Sequence, residues 1–207
     1  MKIIGKNGLV AVIVGAFLLW QPVFAAAAAP GDQVRQTIDG LLAVLRNPEF
    51  KGEAKAKERR EKLRQIIYPR FDFTEMAKRA LGSHWQRRTP EEQKEFVKLF
   101  TDLLETAYLD KIESYNGEKV QYLNEKQDEN FAQVDTKIID NKGKEYSINY
   151  RLQNEGGEWK VYDIVIENIS LVNNYRAQFN RVLTKSSYDE LLSAMKEKRL
   201  SAPGIKG

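Results

Sequence analysis

The stretch from Trp159 to Phe179, WKVYDIVIENISLVNNYRAQF, limits the fold more than any other part of this chain. It begins with the character of a strand and ends with that of a helix. With a period of two, one face of the strand holds Trp159, Val161, Asp163, Val165 and Glu167, and the other holds Lys160, Tyr162, Ile164 and Ile166. A strand with one wet face alternates apolar and polar residues. Here both faces are mainly apolar, so both require cover. Leu171, Val172, Tyr175, Phe179, Val182 and Leu183 then follow at helical spacing. A doubly covered strand in a chain with few strands implies a sheet bent around something apolar, either a packed core or a ligand.

Helices dominate the first half. Asp32 is placed to cap a helix with the stripe Val34, Ile38, Leu41, Leu42 and Leu45, which Asn47-Pro48 ends. A charged helix over about 53–67 stops at Pro69. Asp72-Phe73-Thr74-Glu75 reads as a capping box for a short helix that Gly82 ends. Thr89-Pro90-Glu91-Glu92 opens a longer helix, with Pro at its first position and Phe96, Leu99, Phe100, Leu103, Leu104, Ala107 and Tyr108 on one face. Strands are expected over 120–123, 131–139, 145–153 and 159–167, joined as a meander by Asp140-Asn141-Lys142-Gly143 and Asn154-Glu155-Gly156-Gly157. Ser187 with Glu190 marks a last helix start. This order predicts an α+β domain, helices packed on a curved four-stranded antiparallel sheet. A barrel needs about eight strands to hold a small ligand by itself. Any cavity here must therefore lie between sheet and helices.

Residues 1–25 read as a signal peptide. Lys2 and Lys6 precede an uncharged run from Leu9 to Trp20, and Val23-Phe24-Ala25 suits the peptidase, with cleavage between residues 25 and 29. A transmembrane anchor is the competing reading, but the run is shorter than the ~20 residues a bilayer requires. The chain has no Cys, which rules out lipid-anchored cysteine, disulfides and thiolate chemistry. A disulfide-free exported domain suits a bacterial periplasm. Residues 30–200 fit one domain, with 201–207 a flexible tail.

The formal charge of +4 falls to about +2 once Lys2 and Lys6 are removed. No basic stripe carries interleaved aromatics, which argues against nucleic acid. The block from Lys55 to Arg64 contains Glu58 and Glu61 and reads as a solvated helix face. The single His, His84, leaves no His triad and no multi-His metal site, and no glycine motif cradles a phosphate. No cofactor, metal or enzymatic activity is expected. Asp163 and Glu167 leave two alternatives. They are paired carboxylates whose pKa values burial pushes apart, or an Asp accepting a hydrogen bond and a Glu in water.

The same strand and helix, Trp159 to Glu167 with Ser170-Leu171-Val172 and Asn174-Tyr175-Arg176 to Phe179, closely resemble the toluene-tolerance family. Its best-known members are soluble periplasmic phospholipid carriers of the Mla lipid-trafficking pathway in Gram-negative bacteria. Phe71-Asp72-Phe73, Met76-Ala77, Leu81-Gly82 and Trp85 resemble that family's first block, and Gln93, Phe96, Phe100, Leu104 and Tyr108 its long helix. The likeness runs from about Val34 to Met195. It departs at Glu167-Asn168, where the family usually has Glu-Gly, and Asn tolerates the left-handed backbone such a turn needs.

The resemblance implies a nuclear-transport-factor-like cone enclosing an apolar pocket for acyl chains, with the head group near the mouth. It implies a phospholipid as ligand, an inner-membrane ABC transporter complex and an outer-membrane lipoprotein complex as partners, and a monomer that helps maintain outer-membrane lipid asymmetry. Candidate acyl contacts are Leu104, Tyr108, Val134, Tyr146, Ile148, Tyr150, Leu152, Val161 and Val165. Tyr175 and Arg176 are candidates for the rim, where an Arg suits a lipid phosphate. Two other readings compete: a cone-fold isomerase or hydrolase using Asp163 or Glu167, and a periplasmic adaptor with a solid core.

Overall fold

The computed structural model describes residues 28–200, so the expected leader and the 201–207 tail lie outside the described residues. Helices α1 (Pro30–Arg46), α2 (Ala56–Ile67), α3 (Phe73–Leu81) and α4 (Pro90–Glu113) come first. Strands β1 (Lys119–Asp128), β2 (Phe131–Ile139), β3 (Glu145–Glu155), β4 (Glu158–Ile166) and β5 (Ile169–Ser170) follow, then α5 (Leu171–Lys185) and α6 (Tyr188–Lys196). The strands pair in chain order as one open antiparallel sheet. The sheet has five strands rather than the expected four, because β5 is two residues long and leaves no periodic trace in sequence.

The helix starts follow the chemistry of their free N–H groups. At α4 the box is complete: Glu92 N–H donates to Thr89 Oγ1 at 3.2 Å, and Thr89 N–H to the Glu92 carboxylate at 2.8 Å. At α3 only half forms. Glu75 N–H donates to Asp72, but the Glu75 carboxylate turns to Lys78 and Arg79. Asp32 does not cap α1; it lies within the first turn. Gly31 N–H instead donates to the carboxylate of Glu125 on β1, 2.8 Å away. That acceptor is 94 residues distant and invisible to a local reading.

Two β-bulges bend the sheet. In β1 the register slips at Leu123. In β4 Asp163 stands opposite Arg151 and Val161 opposite Leu152, leaving Tyr162 as the extra residue. This corrects the strict period of two. Trp159, Val161, Ile164 and Ile166 share the concave face, while Val165 stays with Asp163 on the convex one. Both faces of the strand are covered, as its sequence requires, and the bulge decides which residues meet which cover, with Val165 and Asp163 buried on the convex side.

After β4, Glu167 and Asn168 form a two-residue turn with φ of 47° and 64°. Positive φ at both positions is what a tight hairpin of this hand needs. The turn survives without glycine, and Ser147 N–H and Oγ donate to the Glu167 carboxylate at 2.5 and 3.1 Å. The hairpin returns Ser170 to the sheet, where its hydroxyl accepts from Asn173 N–H and caps α5.

Two cores result. One lies among α3, α4, α5 and α6 and centres on Phe96, Phe100, Tyr175 and Phe179, whose rings pack 5.4–6.1 Å apart. The other, with Val34, Ala132, Val134, Leu152, Trp159 and Val161, fills one end of the concave face.

Candidate functional site

Between the concave face and helices α1, α2 and α4 lies a cavity of about 650 Å³, within the ~300–1,000 Å³ usual for ligand pockets. Its floor is Tyr146, Ile148 and Tyr150 of β3 with Val161, Ile164 and Ile166 of β4. The last half of α4 supplies Leu104, Tyr108, Leu109 and Ile112. The opposite wall is the apolar stripe of α1: Ile38, Leu41, Leu42 and Leu45. Only Val34 of that stripe is buried; the other four are half-buried although they point inward. Their apolar surface lines the cavity, and Ile38, next to the closed end, also packs against the second core.

The cavity has a closed end and a polar end. The second core, Val34 through Val161, plugs it beside the start of β4. At the opposite end of the sheet the lining changes to Ser114, Tyr115, Glu118 and Asp140, around the end of α4 and the start of β1. Burial raises the phenol pKa values of Tyr108 and Tyr150 well above the usual range. Both stay neutral at any physiological pH and present rings, not charge.

Helix α2 closes one side of the cavity in an unusual way. Its only buried residue is Leu63, and it is tied to α4 by charge. Arg59 and Arg60 both reach Glu113 at 2.7 Å, Arg60 reaches Asp110 at 2.6 Å, and Arg64 pairs with Glu105. Tyr68 Oη donates to Glu105 at 2.8 Å. The hydrogen bond from Arg64 holds the Glu105 carboxyl below its ordinary value. Burial first, then the hydrogen bond to Glu105, pushes the Tyr68 phenol up to about 12.

Because the Glu105 value is depressed in the folded state, the pair's stability is full above the unfolded value of ~4.3. It is lost as pH falls through the folded value. With both side chains partly exposed, the pair is worth about 1 kcal/mol. Glu105→Gln should lower the melting temperature by about 2–4 °C at pH 7 and flatten its fall below pH ~4.5. Melting curves that run parallel from pH 5 to 3 would show that this pair does not hold the wall.

The expected contact residues divide by position. Leu104, Tyr108, Tyr146, Ile148, Tyr150 and Val161 line the cavity. Val134 and Leu152 face the same way but belong to the plug. Val165 lies across the sheet because of the bulge. Tyr175 is fully buried in the helical core, and Arg176 lines a separate pocket. The α1 stripe was legible in sequence, but amphipathicity alone does not tell a core from a cavity. Ile164 and Ile166 were hidden by the assumption of an unbroken strand.

Asp163 is 3% exposed and takes three donors: Ser170 Oγ at 2.7 Å, Val172 N–H at 3.1 Å and Arg151 Nη1 at 3.1 Å. It joins β3, β4 and the start of α5. Glu167 is exposed at the turn, and neither carboxylate lines the cavity. Among the described residues no helix is long and apolar enough to cross a membrane.

Comparison with known proteins agrees with this geometry. A phospholipid-binding protein from Ralstonia solanacearum, solved in complex with a phospholipid, superposes with a TM-score of 0.75 at 27% identity, covering 83% of this chain and 97% of that one. The intermembrane phospholipid transport system binding protein MlaC of Haemophilus influenzae is 26% identical over 190 residues, 89% of this chain and 88% of its own. Toluene tolerance protein ttg2D of Pseudomonas putida is 28% identical over 186 residues, 89% of this chain and 85% of its own. The model of the MlaC protein family matches residues 35–197, from α1 to the end of α6, so this chain belongs to the MlaC family.

Proposed function

We propose that this protein binds a phospholipid by its acyl chains in the apolar cavity and carries it through the periplasm. It exchanges lipid with an inner-membrane ABC transporter complex and an outer-membrane lipoprotein complex. The observation that carries this reading is the α1 stripe, four half-buried aliphatic side chains facing a floor of tyrosine and isoleucine across a cavity of about 650 Å³. A helix stripe of that kind is stabilised by apolar cover, and an acyl chain supplies it. The phospholipid carried by the Ralstonia neighbour supports the same ligand class. Binding rather than catalysis is favoured because Asp163 and Glu167, the carboxylates an enzymatic reading relied on, lie outside the cavity lining.

Two acyl chains hold on the order of 30 methylenes, so full burial gains about 24 kcal/mol at ~0.8 each. Ordering the chains and the lipid returns part of this. Release into water would still be very slow, so transfer takes place while the protein is docked on a partner. Protein purified without detergent at native expression should carry endogenous phospholipid, seen as a mass shift in native mass spectrometry and identified in an organic extract. Uniformly ligand-free protein would overturn the reading. Lipid-loaded protein should also transfer slowly to bare liposomes and fast when partner complexes are present. Equal rates would remove the docking step.

A further inference from the structure

On the convex side of the sheet a second cavity of about 360 Å³ forms where the end of α3, the start of α5 and the β4 bulge meet. It shares no lining residue with the apolar cavity. Lys78, Arg79, Arg151 and Arg176 face it against one carboxylate, Asp163. Most of these charges have partners. Arg151 pairs with Asp163 at 3.1 Å, and Lys78 and Arg79 share Glu75, which stands outside the lining, at 3.1 and 2.8 Å. The Arg79 guanidinium also lies 4.2 Å over the Tyr162 ring, which fixes its plane.

Arg176 is different. It forms no ion pair with another of the described residues, and Asp163 already serves three donors. Its guanidinium sits against Gly82, where a Cβ would come 2.9 Å from Nε. Gly82 ends α3 at φ 60°, so the residue that stops the helix also clears the space for this Arg. The bulge completes the pocket by turning Tyr162 and Asp163 to the same side as Arg151.

We propose that this pocket is a second binding site, which takes the phosphate group of a phosphate ester. Planar guanidinium forks match the several oxygens of a phosphate, monoester or diester, and the excess of cations over the single lining carboxylate suits an anion. Trp85 and Tyr162 leave apolar wall for a small organic part such as glycerol. Two sources carry this chemistry, a soluble phosphate ester and the exposed head group of a phospholipid at a membrane surface. The site does not depend on the contents of the apolar cavity.

The test uses the mature protein with its bound lipid. Glycerol 3-phosphate is titrated calorimetrically at low ionic strength, and phosphatidylglycerol vesicles are used in co-flotation. Saturable binding of glycerol 3-phosphate assigns the soluble ester, and binding to vesicles alone assigns the head group. In either case Arg176→Gln should weaken binding about ten-fold or more, with lipid content and melting temperature unchanged. Arg176→Lys, which keeps the charge but loses the fork, should fall between. Gly82→Ala should also weaken it by displacing the guanidinium, with a lower melting temperature because φ 60° strains any side chain there. Failure of both probes to bind, or binding that Arg176→Gln leaves unaltered, overturns the proposal. So does Arg176-dependent binding of a poly-glutamate peptide where neither phosphate probe binds, which would make the pocket a dock for an acidic protein segment.

Discussion

Ile164→Glu is expected to strip the protein of phospholipid while leaving it folded. Ile164 is half-buried on the cavity floor opposite Tyr150, so a carboxylate there would meet acyl carbons rather than packed protein. An unpaired charge in apolar surroundings costs several kcal/mol. Affinity should fall by two decades or more, since each decade is ~1.4 kcal/mol. Without lipid, water can solvate the carboxylate and the far-ultraviolet circular dichroism should stay native. Leu152→Glu is the matched contrast. Leu152 is fully buried in the plug beside Val161, and its cost falls on the fold, whose total stability is ~5–15 kcal/mol. That variant should melt far lower or fail to fold. If Ile164→Glu keeps its lipid, the cavity is not the acyl site; if it unfolds as Leu152→Glu does, the floor is packed core.

Asp163→Ala should be among the most destabilising single changes in the chain. The substitution takes the acceptor from the Ser170 hydroxyl and from the Val172 N–H at the start of α5, while the Arg151 guanidinium, 38% exposed, turns to water. Leaving the buried Val172 N–H and the partly buried Ser170 hydroxyl without their acceptor costs ~2–4 kcal/mol together, which at this chain length is about 4–16 °C in melting temperature. Asp163→Asn keeps the shape and one acceptor, so it should lose less stability and still co-purify with phospholipid. Lipid content measured beside thermal denaturation separates a joint between elements from a working acid. An Asp163→Asn protein with native stability but altered chemistry on a bound substrate would return the enzymatic reading.

Much of the architecture was legible because it follows from short-range rules. Thr89-Pro90-Glu91-Glu92 carries its own capping chemistry, and α4 begins there. Asp72 and Ser187 likewise sit one residue ahead of their helices. The turn at 140–143 lies between β2 and β3 as expected, while the one expected at 154–157 narrows to Gly156-Gly157, because Asn154 and Glu155 still pair within the sheet. The likeness at Trp159–Phe179 and along α3 and α4 pointed to the family that the whole-chain match shows.

What only the tertiary structure decided depends on contacts between residues far apart in sequence. The Tyr162 bulge is set by pairing with Arg151 and Leu152, and it changes which side of the sheet Val161, Ile164 and Val165 face. A one-residue slip reverses every later side chain, so no periodicity read from β4 alone could place them. Glu125 replaces Asp32 at the start of α1 for the same reason, since its nearness comes from the curl of β1. The α1 stripe shows the limit most plainly. Sequence determined that Ile38, Leu41, Leu42 and Leu45 form one apolar face, because helical spacing is a local property. Whether that face meets side chains or a cavity was decided by how far the bent sheet stands from α1, a distance no local property fixes.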